Sequence, residues 1–338
     1  MEKFILGRTG LSVSRSGFGA IPIQRISFDE AKTLLRRAFD GGINFYDTAR
    51  GYTDSEEKIA YALSDVRHEI IIATKSFAAN VESMIKDLET SLANLKTDYI
   101  DINQLHNPGY LPSYDSDIYQ ALLNAKKKGK IRFISVTNHR FDLAMEMVRS
   151  GLFDTMQFPI CAISEDKDFE IVKLCREHDI GFIAMKAMAG GLITDPEPTF
   201  SLLRSYGNIL PIWGIQHIWE LEQFLALEAD PPQLNEKMLN TKKRDKAELS
   251  GNFCRGCGYC MQDCPAKIQT SMAARISLLL RRTNPAYFIS PAFQEEMKKI
   301  LNCTNCGNCR THCPYNLDTP NLLRSEYDFY LKYITEHE

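Results

Sequence analysis

Charge of one sign, long apolar runs and, over most of its length, cysteine are what this 338-residue chain has little of. Its 40 basic and 43 acidic side chains leave a formal charge of −3. That is too near neutral for bulk electrostatics to hold a polyanion, so no nucleic acid is expected as a partner. No apolar run approaches the ~18 residues of a membrane span. The start, Met1-Glu2-Lys3-Phe4, lacks the basic stretch leading into an apolar one that marks an export signal, so a cytoplasmic protein with no membrane partner is expected. The first 160 residues contain no cysteine, whereas eight of the ten cysteines lie between Cys254 and Cys313. Cysteines spread through a small secreted chain would suggest disulfides; bunching of this kind marks a second domain.

Hydrophobic residues make up 44% of the chain, enough to fill a large core. From Ser14 to about Leu227, short β-branched runs alternate with longer amphipathic stretches, the pattern of repeated β-α units on a parallel sheet. Eight candidate strands are read at Arg15–Gly19, Ile43–Tyr46, Glu69–Thr74, Tyr99–Gln104, Ile131–Val136, Thr155–Phe158, Gly181–Met185 and Ile209–Trp213. A helix follows each, among them Phe28–Asp40, Ser55–Leu63 and Asp166–Glu177. Eight repeats suit a closed (β/α)8 barrel, with a doubly wound open sheet as the other arrangement of such units. Ahead of the first strand, Gly7-Arg8-Thr9-Gly10 between apolar pairs predicts a β-hairpin that could plug the barrel floor. Ala229-Asp230-Pro231-Pro232 breaks the periodicity, which divides the chain into a barrel, 1–230, and a second domain, 231–338. The basic cluster Thr241–Lys246 in the polar stretch that follows reads as a solvated helix face, with docking of an acidic redox partner as the other reading.

Cys254, Cys257, Cys260 and Cys264 precede Pro265; Cys303, Cys306, Cys309 and Cys313 precede Pro314. Both runs spell C-x2-C-x2-C-x3-C-P, the spacing that sets three thiolates round one [4Fe–4S] cube and sends the fourth elsewhere. Two zinc sites are the competing use of such thiols. The runs resemble those of two-cluster ferredoxins, and that resemblance implies exchange of the fourth ligand: Cys313 completes the cube of Cys254, Cys257 and Cys260, and Cys264 that of Cys303, Cys306 and Cys309. The segment Thr270–Ile300 between them reads as mostly helical. The remaining thiols, Cys161 and Cys175, read as buried and inert.

In the barrel, Asp47 and Tyr52 follow the second strand, Lys75 ends the third and His106 follows the fourth. Strand C-termini of a barrel open onto one face, so these side chains can converge. An ammonium beside a tyrosine lowers the phenol pKa, which suggests that Lys75, held charged by Asp47, tunes Tyr52 while His106 polarises a carbonyl.

Leu6-Gly7-Arg8-Thr9-Gly10-Leu11-Ser12-Val13-Ser14, Asn44-Phe45-Tyr46-Asp47-Thr48-Ala49 with Tyr52, Ala73-Thr74-Lys75, Gln104-Leu105-His106 and Ser135-Val136-Thr137-Asn138 together resemble the aldo-keto reductases. With the tandem cysteine runs, the chain is similar to the subgroup that carries a C-terminal two-cluster, ferredoxin-type domain. The resemblance implies a (β/α)8 TIM barrel with an N-terminal β-hairpin, followed by a small, mainly helical iron–sulfur domain. It implies Tyr52 as general acid/base, with Asp47 and Lys75 tuning it and His106 orienting a small carbonyl or alcohol substrate. For NAD(P)H it points to Asp47, Thr137, Asn138 and Gln157 near the nicotinamide and to Gly190 and Gly191 at the pyrophosphate. Where many members stack a tyrosine on the nicotinamide this chain departs with Met185, whose thioether can pack on the ring, followed by Lys186, which can pair with phosphate. Gly214–Glu220 departs from the family pattern by lacking a basic residue for a 2′-phosphate, which points away from NADPH. The function implied is hydride transfer between nicotinamide and a carbonyl or alcohol, with the clusters exchanging electrons with a ferredoxin-like carrier. The other reading is an electron-transfer or scaffold protein whose barrel no longer turns over nicotinamide.

Overall fold

The computed structural model describes residues 1–249, 253–261, 263–282 and 285–337. They form two compact units: Met1–Ala187 with Pro196–Leu239, and Met188–Asp195 with Asn240–Glu338.

The first unit opens with an antiparallel hairpin, β1 (Lys3–Ile5) and β2 (Ser12–Ser14), paired Phe4 to Val13. Eight parallel strands follow: β3 (Gly17–Gly19), β4 (Phe45–Asp47), β5 (Ile71–Ser76), β6 (Ile100–His106), β7 (Ile131–Thr137), β8 (Thr155–Pro159), β9 (Gly181–Met185) and β10 (Ile209–Gly214). They close in sequence order, β10 pairing β3. This is the (β/α)8 barrel, and the open-sheet arrangement is excluded. Its helices are α1 (Phe28–Asp40), α2 (Ser55–Leu63), α3 (Val81–Leu95), α4 (Asp117–Lys127), α5 (Phe141–Arg149), α6 (Glu170–Glu177), α7 (Glu197–Ser205) and α8 (Ile218–Ala229). Local chemistry sets their starts. Ser27 and Glu30 form a reciprocal capping box ahead of α1, and Asn80 and Ser83 do the same ahead of α3. The predicted helix Asp166–Glu177 divides into a 3-10 turn, Asp166–Phe169, and α6.

Leu6, Leu11 and Val13 of the hairpin segment pack into a cluster with Phe45, Ile71, Ile102, Ile183 and Leu210 from the barrel strands. The floor is thus plugged by apolar contact. Gly7 makes this approach with φ +50°; a Cβ there would lie 2.4 Å from the Gly181 nitrogen, which no side chain can satisfy.

The main differences from the sequence expectation lie at strand ends. β3 starts at Gly17, because Arg15 instead ties the chain to the Gly207 and Arg204 carbonyls at 2.6 and 3.0 Å. β5 and β6 run on to Ser76 and His106, so Lys75 sits within a strand and His106 is the last residue of one.

The second unit is helical: α9 (Glu236–Glu248), shared at its start with the barrel unit, then α10 (Thr270–Ala273), α11 (Ile276–Arg282), α12 (Pro291–Lys298), α13 (Asn308–Thr311) and α14 (Thr319–His337). Within the predicted helical stretch Thr270–Ile300, residues 283 and 284 lie outside the described residues. Phe288, Phe293 and Tyr330 pack edge to face, and the buried Tyr330 hydroxyl donates to the Phe288 carbonyl at 2.6 Å. Among the described residues, no helix is long and apolar enough to cross a membrane.

Candidate active site and cysteine centres

Strand register brings the barrel candidates together. Lys75 lies beside Gln104, His106 beside Thr137 and Thr137 beside Gln157 on neighbouring strands. The Lys75 ammonium donates to Asp47 Oδ2 and to the Thr48 carbonyl, both at 2.6 Å, and both partners of the ion pair are buried. Gln104 Nε2 donates to the other Asp47 oxygen at 3.1 Å. Burial pushes the Asp47 carboxyl up and the Lys75 ammonium down, while their mutual attraction and hydrogen bonds from Gln104 and Gln157 oppose this at Asp47. A buried pair of this kind fixes geometry more than it adds stability.

The loop after β4 carries Tyr52 to the same place. Arg50 N–H bonds the Lys75 carbonyl at 2.8 Å, continuing the pairing with β5. The Lys75 Nζ stands 5.1 Å from the Tyr52 ring centroid. The His106 ring meets that of Tyr52 edge to face at 6.0 Å and stacks on Phe77 at 3.8 Å. The phenol departs from expectation: burial and the Asp47 charge push its pKa upward. Burial is the larger cause, and the direction is opposite to the lowering expected from an adjacent ammonium. Tyr52 is therefore a protonated phenol at neutral pH, the state required of a proton donor.

His106 and His139 are both buried, and their pKa values are held well below 6.5 by burial and then by neighbouring cations, Lys75 and Lys186 for the first and Lys186 for the second. Both imidazoles are neutral at pH 7. Unfolded imidazoles take up protons near ~6.5 whereas these do not, so the unfolded chain binds more protons below that pH. Their contribution to stability is complete above pH ~6.5 and is lost as pH falls from there toward the folded values. A lower urea midpoint at pH 5.0 than at 7.5, with a smaller difference in His139→Gln, is expected.

The nicotinamide candidates divide. Gln157, which also bonds Asp47, has a buried Oε1 with no hydrogen-bond partner among the described residues. It is an acceptor suited to a carboxamide N–H. Thr137 Oγ1 accepts from Asn107 N–H at 3.0 Å. Asn138 uses its amide on the loop itself, donating to the Pro108 carbonyl and accepting from Arg140 N–H at 3.0 and 2.8 Å. Met185 lies in the barrel's interior cluster, and Lys186, at φ +57°, places charge near both histidines. Gly190 and Gly191 lie in Met188–Asp195, the segment grouped with the second unit, where Gly191 N–H donates to the Met188 carbonyl at 2.9 Å. Glu220 caps α8: its Oε2 accepts from Gln216 and His217 N–H at 2.7 and 2.8 Å. Three residues that the sequence reading did not nominate belong here: Gln104, Phe77 and His139. An inward polar residue two places before His106 was the available signal for Gln104; the other two follow Lys75 and Asn138 too closely to stand out.

In the second unit, Cys254, Cys257, Cys260 and Cys313 line one cavity, and Cys264, Cys303, Cys306 and Cys309 another, with Thr270 lining both. The fourth cysteine of each run thus stands with the three of the other. The two runs also fold alike. Gly256 and Asn305, Gly258 and Gly307, and Lys267 and Asn316 occupy matching positions, all at positive φ. These left-handed residues curl each loop so that its amides and sulfurs face inward, as in Gly256 N–H to Cys254 Sγ at 3.4 Å. Burial, then its neighbours Cys254 and Cys257, push the Cys260 thiol up to about 12. A thiolate there requires metal charge beside it, which iron would supply.

An aldo/keto reductase family model matches residues 15–231, and a 4Fe-4S dicluster domain model matches 253–318. The chain is an aldo/keto reductase. It joins the family's barrel to an iron–sulfur dicluster domain, an oxidoreductase pairing. This aldo/keto reductase is 31% identical to L-galactose dehydrogenase of Arabidopsis thaliana, over 59% of its own length and 69% of the relative's. It is 27% identical to the NADH-specific methylglyoxal reductase of Escherichia coli, over 57% and 69%. In fold it is similar to an aldo-keto reductase of Klebsiella pneumoniae solved in complex with NADPH, with a TM-score of 0.61 at 21% identity, covering 72% of this chain and 95% of that one.

Proposed function

We propose that the barrel reduces a small carbonyl compound, or oxidises the corresponding alcohol, with a nicotinamide dinucleotide, and that the second domain holds two [4Fe–4S] clusters that exchange electrons with a one-electron carrier. The observation that carries the barrel reading is the buried Lys75–Asp47 pair set against a protonated Tyr52 and a neutral His106. When bound, the dinucleotide supplies or accepts hydride. Gln157 Oε1 would accept from its carboxamide, with Thr137, Asn138, Met185 and Lys186 around it and Gly190–Gly191 at the pyrophosphate. His106 donates one ring N–H to the substrate oxygen without needing a charge, which favours negative charge developing there. Tyr52 holds the proton that this oxygen receives. Asp47 and Lys75 fix the site's polarity, and Lys75 stabilises the phenolate left behind. Cys254, Cys257, Cys260 and Cys313 would hold the first cluster, and Cys264, Cys303, Cys306 and Cys309 the second. The domains are read as 1–230 and 231–338, in a reducing, cytoplasmic setting that disfavours disulfides.

The test is anaerobic titration of iron-replete protein with NADH and, separately, NADPH, following nucleotide fluorescence together with cluster absorbance. NADH is expected to bind at least about tenfold more tightly. A 2′-phosphate approaching the start of α8 meets Glu220, whose carboxylate already occupies the amides that would welcome an anion. Glu220→Gln should narrow the difference. Cluster reduction by NADH would join the two chemistries; binding without it would make them separable. Absence of nucleotide binding would favour the electron-transfer or scaffold reading, for which the engaged Asn138 amide is the supporting observation.

A further inference from the structure

Two arginines hold Met188–Asp195 by its backbone. Arg275 Nη1 donates to the Gly190 carbonyl at 2.8 Å, and Arg282 Nε donates to the Leu192 carbonyl while its Nη2 is anchored on Asp245 at 2.8 Å. Arg275 is buried, and its Nε is fixed on the Ser271 carbonyl at 2.8 Å. The same guanidinium packs on Gly256, between Cys254 and Cys257. A Cβ at Gly256 would lie 3.0 Å from Arg275 Cζ, and one at Gly190 would lie 2.9 Å from its Nη1. Ala274, the preceding residue, lines the first cysteine cavity. One cation therefore touches both a ligand loop of the first cluster and Gly190, the first of the two glycines.

We propose that Arg275 is a positioning residue that couples dinucleotide binding at Gly190–Gly191 to the charge of the first cluster. The proposal rests on the reading of those glycines as the pyrophosphate contact. The added electron and the pyrophosphate are both negative, and this guanidinium holds the loop proposed to carry each. One-electron reduction of the first cluster, by dithionite, draws Arg275 toward Gly256 and loosens its hold on the Gly190 carbonyl, so the anion binds less tightly. Linkage is reciprocal: bound dinucleotide must lower the cluster potential by the same free energy.

ADP-ribose is the suitable probe, since it carries the pyrophosphate and no nicotinamide. With both clusters loaded, its dissociation constant should rise about tenfold on reduction. The potential of the first cluster, followed by EPR, should fall by the matching ~59 mV at saturating ADP-ribose. Arg275→Met should retain its iron and bind ADP-ribose equally in both redox states, and Arg275→Lys should recover part of the difference. Should Arg275→Met lose its clusters, Gly190→Ala, whose methyl would press on Nη1, is the second variant and should also shrink the shift. A wild-type change below twofold, or one undiminished in the variants, overturns the coupling while leaving the pyrophosphate reading intact. Failure of ADP-ribose to bind in either redox state overturns both.

Discussion

Tyr52→Phe is expected to lower carbonyl reduction by about 10²–10⁴-fold, the usual worth of a general acid. Nucleotide affinity should change by less than about twofold, and the iron content not at all. The expectation follows from what the substitution removes. The ring that meets His106 edge to face and lies under the Lys75 ammonium is kept, and the hydroxyl is lost. Since burial and Asp47 hold that phenol protonated, its loss removes a loaded proton donor and leaves the buried ion pair in place. Single-turnover rates with saturating NADH measure it directly. A Tyr52→Phe protein that reduces carbonyls at the wild-type rate would remove Tyr52 from the chemistry. Its companion, His106→Gln, should lower the rate less, because an amide can still donate to a carbonyl oxygen.

The direction of the Tyr52 shift shows where a sequence stops being sufficient. That Asp47, Tyr52, Lys75 and His106 stand at the ends of neighbouring strands could be read from eight β-branched runs and the geometry of a barrel. Whether Lys75 or Asp47 dominates the field at the phenol depends on distances and burial, and no spacing encodes these. The hairpin plug was legible because Gly7-Arg8-Thr9-Gly10 carries turn chemistry locally. Met188–Asp195 was not, since its partners Arg275 and Arg282 lie 85 and 90 positions downstream of the carbonyls they bind. Phe77 was missed for a related reason: a lone aromatic after a strand becomes informative once its ring is seen 3.8 Å from His106. Nor does local pattern reveal that Glu220 turns back to cap its own helix, though Gln216-His217-Ile218-Trp219-Glu220 had already signalled the missing cation.

Cysteine spacing carried the most information per residue, and its sharpest consequence is a pairing that substitution can read. Cys313→Ala should lose the same cluster as Cys257→Ala, and Cys264→Ala the same as Cys306→Ala. Iron would fall from about eight to about four atoms per chain in each variant, with one of two distinguishable EPR signals remaining. The basis is the partition of sulfurs between the two cavities, in which each fourth cysteine lines the cavity of the other run. The environments differ enough to separate the signals. Cys254, Cys260 and Cys313 are buried, whereas Cys306 is exposed and its three companions are half-buried. A cluster with less water around its sulfurs has fewer hydrogen bonds to stabilise the reduced, more negative state, so the first cluster should have the lower potential. Loss of the second cluster should therefore leave the lower-potential signal, and loss of the first the higher. If Cys313→Ala instead matched Cys306→Ala, each run would hold its own cube and the exchange of ligands would be wrong. Zinc in place of iron in the anaerobically purified protein would remove both clusters and, with them, the electron-transfer role proposed for this domain.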